Sequence, residues 1–426
     1  MLRNRNFALL WVAQWISAAG DTFTFLAIAV QIDRIFPDAG QSAKALGAVL
    51  IAFSLPQLLL GMFAGTLVDR WDRRKVMIAS DLARALLTPG FMFIQTQADL
   101  PLAFGLAFLI SSFSVFFYPS RTAMLPAIID EEELMNANGW MQVGGTIARL
   151  SGPILAGIVL GLWNVEVAFG IDAVSFLISA ALLVGLSGVS TRVEAKQDRN
   201  MRAAWGDLKS GVQFALHSRL LQGVTLGLSV AMLGLGAVNV LFVPFLRHAF
   251  NTPPEALGGI QAAQGAGMLI GGLLVGAIGK RLSPLRLSVG SMFVLGAGVA
   301  LFGAAPTYSL ELVIMPFVGL SLAPINASLQ TMLQRNVPGH MLGRAGSVMD
   351  MAISLATLVS MGGAGWLGDT IGLRQSFFLG GVMLALGGLA MGGLLRGEES
   401  SLSAPGKMQS LQATSSSTTQ TMESTS

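Results

Sequence analysis

Six ionisable residues stand inside long apolar stretches of the sequence, where a charged side chain is costly and therefore informative. They are four acids and two bases: Asp21, Asp81, Arg84, Arg149, Asp172 and Asp350. A charge at the centre of a bilayer costs about 2.5–3.5 kcal/mol on insertion scales, so such residues are candidates for function or for mutual pairing. The carboxyl groups could carry protons across a membrane, because a carboxyl group binds or releases a proton as its surroundings change.

Asp21 and Asp350 are the two candidates for proton coupling. Asp21 lies near or beyond the middle of the first apolar stretch, and Asp350 lies near the start of the eleventh. A structural hydrogen bond is the alternative role for Asp21.

The other four charges are expected to be held by partners. Asp81 and Arg84 are three residues apart and hence on one face of a helix, where each would neutralise the other. Arg149 needs a carboxylate, a carbonyl or an anionic ligand as its partner, and Asp350 could supply the carboxylate. Asp172 is expected to be a structural hydrogen-bonding group.

The elements that position these residues are predicted to be transmembrane helices. Of the 426 residues, 53% are hydrophobic and only 12% are charged, whereas soluble domains have about 25% charged residues. A spanning helix needs about 20 apolar residues, and barrel strands would alternate polar and apolar residues, which these stretches do not. Twelve stretches begin near Phe7, Ala45, Val76, Pro101, Asn138, Glu166, Leu220, Ala256, Arg286, Tyr308, Leu342 and Thr370.

The basic residues indicate the orientation of these spans. With the N-terminus inside, 20 of the 26 Lys and Arg residues fall in inner segments and 4 in outer segments. Since inner segments are enriched in basic residues, both termini are expected in the cytoplasm of a multi-pass protein of the cell (inner) membrane. The expected organisation is an N-terminal six-helix bundle at 1–190, a cytoplasmic linker at 191–219, a C-terminal six-helix bundle at 220–396 and a disordered cytoplasmic tail at 397–426.

Composition argues against several other function classes. The chain has no cysteine and only three histidines, so neither a metal site nor a cofactor is expected. A net charge of +3 is too small, and too spread along the chain, for nucleic-acid binding. No Ser–His–Asp or phosphate-binding pattern suggests an enzyme. A non-transporting sensor or scaffold is a further alternative, but neither the linker nor the tail contains a recognisable domain.

The sharpest motif is the loop after the second span, with the sequence GTLVDRWDRRK. Its gate residues are Gly65, Asp69, Arg70, Arg73 and Arg74. The loop resembles the signature of the major facilitator superfamily, Gly-x-Leu-Ala-Asp-Arg-x-Gly-Arg-Arg, with Asp72 in place of the second glycine. The resemblance implies that Gly65 lets the second span approach the other half. It also implies that Asp69 faces the N-terminus of the eleventh span near Gly343, which would latch the cytoplasmic side shut.

A second motif lies in the fifth span, where Gly152, Pro153 and Gly157 follow Arg149. It resembles the Gly-Pro-x-x-Gly signature of proton-coupled exporters of this superfamily, with Ala156 where a glycine is usual. Proline removes a backbone donor and permits a kink, and a glycine allows close contact between helices. The resemblance favours export over import.

A third set of residues, PSRTAMLP at 119–126 and LMNAN at 134–138, resembles the twelve-helix exporters of macrolides and siderophores. The resemblance extends over roughly residues 1–395 and implies the major facilitator fold, an all-α membrane protein with two six-helix bundles. It implies a monomeric secondary active transporter that exchanges protons for hydrophobic or amphiphilic small molecules by alternating access. Its partners would be the substrate, protons and membrane lipids. A lysophospholipid or other lipid carrier of the same fold is the alternative.

The fold implied by the resemblance lines its central cavity with spans 1, 4, 7 and 10. Candidate substrate contacts on these spans are Phe23, Phe113, Phe117, Asn239, Phe242, Phe317 and Asn326. Many are aromatic and the chain has 21 methionines, which suits an apolar or amphiphilic substrate. For any one of them, packing against lipid or within a bundle is the alternative.

Overall fold

The fold of the protein is built of helices. The computed structural model describes residues 3–36, 38–68, 71–186, 201–250, 252, 255–279 and 281–398. In these ranges no β-strand is present, and the prediction of an all-α protein is confirmed. Helices of the first half are α1 (Arg5–Ile35), α2 (Ala39–Val68), α3 (Arg73–Leu87), α4 (Leu100–Ile128), α5 (Leu134–Leu162) and α6 (Val165–Val184). Those that follow are α7 (Met201–His217), α8 (Arg219–Phe250), α9 (Glu255–Ile278), α10 (Pro284–Ala304), α11 (Tyr308–Asn336), α12 (Gly339–Thr370) and α13 (Leu373–Leu395).

Twelve of the described helices are long and apolar enough to cross a membrane, as predicted. α2 begins at Ala39, one to two turns earlier than the predicted start near Ala45. The third span is α3 followed by a 3-10 helix at Thr88–Phe93, because Pro89 cannot donate the next α-helical hydrogen bond. α7 lies in the segment that the sequence indicated only as a polar linker. Residues 187–200 and the tail from 399 onwards lie outside the described residues.

Helix starts are fixed by polar side chains that accept hydrogen bonds from the first turn. Such caps satisfy backbone donors that have no partner inside the helix. Asp72 accepts from the Lys75 backbone at 3.1 Å and so begins α3. Asn4, Asp38, Asn164, Ser218, Ser283 and Thr307 cap helices in the same way.

The helices pack into two groups. In the first, α1 contacts α5 and α6, α2 contacts α4, and α3 contacts α4 and α6. In the second, α8 contacts α12 and α13, α10 contacts α11 and α13, and α9 contacts α11. Glycines allow the closest approaches: a β-carbon on Gly380 of α13 would press on Val238 and Gly234 of α8. Close backbone packing is the main source of helix association in lipid, where apolar burial gives little.

The two bundles contact each other at one end. We call the end where α1 begins and α13 ends the proximal end, and the opposite end the distal end. Near the distal end Lys44 of α2 forms an ion pair with Asp369 of α12. There too, Asp33 of α1 pairs with Arg247 of α8 at 2.8 Å and lies 3.4 Å from the imidazole of His248.

Backbone contacts reinforce this distal closure. Gly157 of α5 and Gly258 of α9 face each other so closely that a β-carbon on either would press on the backbone of the other. Gly47 of α2 lies equally close to the carbonyl of Met361 on α12. All of these contacts between the bundles lie near the distal end. At the proximal end α7 packs against α12, where Gly211 approaches the backbone of Arg344.

The distal closure can be tested by cross-linking, because the natural chain has no cysteine. We expect the double variant Lys44→Cys and Asp369→Cys to form an intramolecular cross-link under mild oxidation, since the two side chains are in contact. Gel mobility with and without reductant measures the yield. Each single variant is the control, and absence of a cross-link in the double variant would contradict the distal contact.

Candidate functional site

An apolar pocket lies between the two bundles toward the distal end. It has about 830 Å³ of empty space, part of it open to solvent. Both bundles contribute to its wall, which includes Phe25, Ala29, Leu46, Leu235, Asn239, Phe242, Gln261, Gln264 and Met315. Three amide side chains, those of Asn239, Gln261 and Gln264, are the polar groups of this wall. A large apolar wall with a few polar groups is typical of sites for small organic molecules.

The burial of residues along α5 and α12 indicates that the bundles separate toward the proximal end. Arg149, Ala156 and Leu160 share one face of α5, because residues seven and eleven apart align on a helix. Ala156 and Leu160 are buried at the closed distal end, whereas Arg149 is exposed. Asp350 is likewise exposed and shares a face of α12 with Met361, whose backbone contacts Gly47. These side chains therefore line a cavity that is open at the proximal end.

Asp21 lies in this cavity, one helical turn from the pocket residue Phe25. Its side chain is 43% exposed, and its carboxylate lies 4.0 Å from the guanidinium of Arg84. Arg84 itself is buried and forms its closer ion pair with Asp81. The rings of Phe176 and Phe117 pack on the guanidinium carbon at 4.2 and 4.9 Å from their centres. Arg84 is thus held from several sides, and Asp21 is its half-exposed partner.

Hydroxyl groups hold the two buried acids of this cluster. Ser179 donates a hydrogen bond to Asp81 at 2.6 Å. Asp172 accepts hydrogen bonds from Thr24 at 2.5 Å and from Ser175 at 3.3 Å. Asp172 therefore links α6 to α1 through hydrogen bonds, as a structural group would.

A second charged group lines the cavity on the proximal side of Asp21. The guanidinium of Arg121 lies 5.3 Å from the ring centre of Tyr118, which is 51% exposed. Tyr118 is within electrostatic range of Arg149 and of Asp21. Asp350, which the sequence suggested as a partner of Arg149, does not form an ion pair with it in this conformation.

The gate loop is partly described. Arg73 donates to the carbonyl of Ala123 on α4 at 2.7 Å. Arg74 donates to the carbonyl of Leu183 on α6 at 3.0 Å, so both arginines attach the start of α3 to its own bundle. Asp69 and Arg70 lie outside the described residues. Gly65 lies within α2, and its surroundings are outside the description.

The glycines of the motif in the fifth span pack α5 against α1 of its own bundle and against α9 of the other bundle. A β-carbon on Gly152 would press on Thr22 and on the carbonyl of Ala19, so this glycine lets α5 approach α1. Pro153 lies inside α5, and Gly157 makes the contact with α9 described above. Its glycines thus have a packing role on two sides of the helix.

The predicted substrate contacts divide by position. Asn239 and Phe242 line the pocket, and Asn326 is exposed. Phe23 and Phe117 are buried in the first bundle. Phe113 shares an exposed apolar stripe of α4 with Leu102 and Leu109, and Phe317 shares one of α11 with Leu310 and Val313. The structure therefore places five of the seven predicted residues outside the pocket wall.

Some residues of the site were not singled out from the sequence. Gln261 and Gln264 of α9 lie in the pocket wall although the implied cavity helices did not include the eighth span. Polar residues inside an apolar span are the signal that could have identified them. The distal pair of Asp33 and Arg247 joins residues far apart in the chain, and no local pattern indicates it.

In the described ranges, no group of three or more His, Asp or Glu side chains is arranged to hold a metal ion.

Comparisons with known proteins agree with this architecture. A family model of the major facilitator type, described as "Transmembrane secretion effector", matches residues 1–412. Macrolide efflux protein A of Streptococcus pyogenes is 25% identical over 391 residues, which cover 90% of this chain and 95% of that protein. The enterobactin exporter EntS of Escherichia coli O1:K1 / APEC is 27% identical over 372 residues, which cover 84% and 85%.

Solved structures share the fold. A bacterial homologue of the iron transporter ferroportin, in an inward-facing state, has a TM-score of 0.74 at 16% identity, with 92% of this chain and 98% of that chain covered. A bacterial homologue of the lysosomal transporter Spinster, also inward-facing, has a TM-score of 0.72 at 14% identity, with 92% and 97% covered.

Twelve spans in two bundles around a central cavity define a multi-pass membrane transporter of the major facilitator fold, and not an enzyme. The chain belongs to the family of transmembrane secretion effectors and is similar to drug and siderophore exporters.

The glycine contact between α5 and α9 leads to a specific prediction. Gly157→Leu should destabilise the distal-closed conformation by about 1–3 kcal/mol, because an added side chain overpacks the contact with Gly258. The yield of the Lys44→Cys and Asp369→Cys cross-link should fall accordingly. Gly139→Leu is the matched control, since nothing lies near Gly139 on the same helix. Equal yields in both variants would contradict the proposed role of the glycine.

Proposed function

We propose that the protein exports an amphiphilic small molecule in exchange for protons, as a monomer in the cell (inner) membrane. The observation that carries the proposal is the pocket between the bundles, with the carboxylate of Asp21 exposed one helical turn away. A binding site between two bundles that touch near one end is what alternating access requires. The names of the similar exporters, for macrolides and enterobactin, support export of organic molecules.

The proximal end is proposed to face the cytoplasm. It carries most of the basic residues of the chain, and cytoplasmic loops are enriched in Lys and Arg. Both termini would then be cytoplasmic, and the described conformation would be open to the cytoplasm. Substrate would enter the cavity from that side and reach the pocket, while the distal ion pairs keep the outer side closed.

Asp21 is our proposed proton carrier. Protonation of a carboxylate that is the sole partner of a buried guanidinium would leave an uncompensated buried charge, which typically costs about 3–5 kcal/mol. Here Arg84 keeps its ion pair with Asp81 when Asp21 is neutral. The exposed Asp21 can therefore gain and lose a proton without loss of the buried pair. Asp350, exposed on the opposite bundle, is the second candidate.

In the proposed transport cycle, closure of the distal side would alternate with closure of the proximal side. Rocking of the bundles would break the distal pairs Lys44–Asp369 and Asp33–Arg247 and open the pocket outwards. The proximal side would then close, with Asp69 latched against the start of α12 near Gly343. Proton binding from outside would favour the return to the cytoplasm-open state.

Proteoliposomes with an imposed proton gradient test this function. We expect a dye, a macrolide or a siderophore to trigger proton flux in the wild type, and Asp21→Asn to abolish this flux while substrate still binds. Asp350→Asn is the matched variant, which should keep the flux if Asp21 is the carrier. Substrate transport without proton flux would contradict coupling, and lysolipid transport that persists without the gradient would favour the lipid carrier.

The latch gives a separate prediction. Asp69→Asn should leave membrane insertion intact and slow turnover roughly 2- to 30-fold, because a carboxylate at a helix N-terminus contributes about 0.5–2 kcal/mol. Asp72→Asn is the control in the same loop, since an asparagine still caps α3. Transport rates in proteoliposomes measure both. Wild-type turnover of Asp69→Asn would remove the latch from the mechanism.

A further inference from the structure

Two arginines line the proximal part of the cavity without an acidic partner. We propose that Arg149 and Arg121, together with the hydroxyl of Tyr118, bind an anionic group of the exported molecule. The substrate class would then be an anionic amphiphile, with a carboxylate or a similar anion on an apolar body. This inference rests on the proposed function and specifies the substrate of the same cavity.

The position of Arg149 is the first argument. It lies near the middle of a membrane-spanning helix and faces the cavity, on the face that Ala156 and Leu160 continue toward the distal end. Among the described residues it forms no ion pair. Charged residues inside membrane-spanning helices that face a water-filled cavity mark substrate or ion pathways, so Arg149 is placed to bind an anionic group. The enrichment of cytoplasmic loops in basic residues does not explain an arginine so deep in the span.

Arg121 and Tyr118 provide a second donor group at the same wall. The Tyr118 ring packs on the Arg121 guanidinium, which restricts the arginine and leaves its nitrogen atoms available. Tyr118 is also within electrostatic range of Arg149 and of Asp21, so the two arginines and this carboxylate act on one region of the cavity. Guanidinium groups present planar sets of donors that match the two oxygens of a carboxylate.

The acidic groups of the cavity do not form ion pairs with Arg149 or Arg121. Asp21 faces the same cavity, and its nearest basic group is Arg84 at 4.0 Å. Asp81 is buried and is the closer ion-pair partner of Arg84. Asp350 is on the wall of the other bundle and does not pair with Arg149. Arg149 and Arg121 are therefore the arginines of this wall that form no ion pair among the described residues.

The apolar pocket would hold the rest of such a molecule. Arg149 is about two helical turns proximal to Ala156, which is buried where the bundles meet. The pocket begins at Phe25, one turn beyond Asp21. A ligand whose anion lies at Arg149 can therefore extend its apolar part into the pocket. Charge and apolar surface are separated along the cavity axis, as they are in an amphiphile.

Matched pairs of ligands that differ only in charge test the proposal. We choose dansyl-leucine, dansyl-phenylalanine and dansyl-tryptophan, each as the free acid and as the neutral methyl ester. Fluorescence titration of the full-length protein in nanodiscs gives the dissociation constants. We expect the acids to bind more tightly than their esters. Arg149→Gln should weaken acid binding about 30-fold or more, as expected for loss of one partner of a desolvated charge pair, and leave ester binding unchanged.

Two further variants complete the test. Arg121→Gln should weaken acid binding in the same selective way, whereas Arg281→Gln, in an exposed turn between α9 and α10, should have no effect. Equal affinities of acid and ester in the wild type would overturn the proposal. An equal loss of both affinities in Arg149→Gln would overturn it as well. Absence of proton flux with an intact preference for acids would contradict only the proposed coupling, so the two failures are distinguishable.

Discussion

The cost of an uncompensated charge in the bilayer determines where the charged side chains of this protein lie. Arg84 is buried with Asp81 as its close partner, and the aromatic rings of Phe117 and Phe176 enclose it. Asp172 is buried with hydroxyl donors. Of the six ionisable residues that the sequence places inside the spans, the two that lack such partners, Arg149 and Asp350, are exposed in the cavity. Pairing where the helices are packed and exposure where the bundles separate are thus two consequences of one constraint.

The same constraint would make the distal closure reversible in the proposed transport cycle. Its ion pairs join residues of different bundles near the end of the spans, where water can solvate each charge when the bundles separate. Glycine contacts such as Gly157 with Gly258 add close packing without interlocking side chains. Each bundle is held internally by long helix contacts, so it can move as one body while the contacts between bundles exchange.

The spans were predictable because an apolar stretch of sufficient length has few alternatives to a transmembrane helix. α7 was not predicted, since its composition is that of a polar linker. The position of Phe113 and Phe317 depends on the rotation of each helix about its axis, which a single sequence does not fix. The pair of Asp33 and Arg247 depends on how the two bundles meet, so it could not be predicted either. The cap by Asp72 could have been, because an aspartate just before a helix is a known start signal.

The charged groups lie in the proximal part of the cavity, and the apolar pocket lies toward its distal end. In the proposed export, a molecule that enters from the proximal end would pass Arg121 and Tyr118, then Arg149 and Asp21, and would then reach the apolar pocket. The proposed proton carrier and the proposed anion site are therefore neighbours. The charge of a bound substrate and the proton on Asp21 would influence each other electrostatically, which is one physical basis for exchange.

The measurement that tests alternating access most directly is a pair of distances between spin labels in nanodiscs. The cysteine-free chain allows labels at Gln41 and Thr370 to report the distal end, and labels at Lys75 and Arg281 to report the proximal end. On substrate addition, our account predicts that the distal distance lengthens while the proximal distance shortens, and on acidification it predicts the opposite change at each end. Distances that stay constant, or that change in the same direction at both ends, would contradict it.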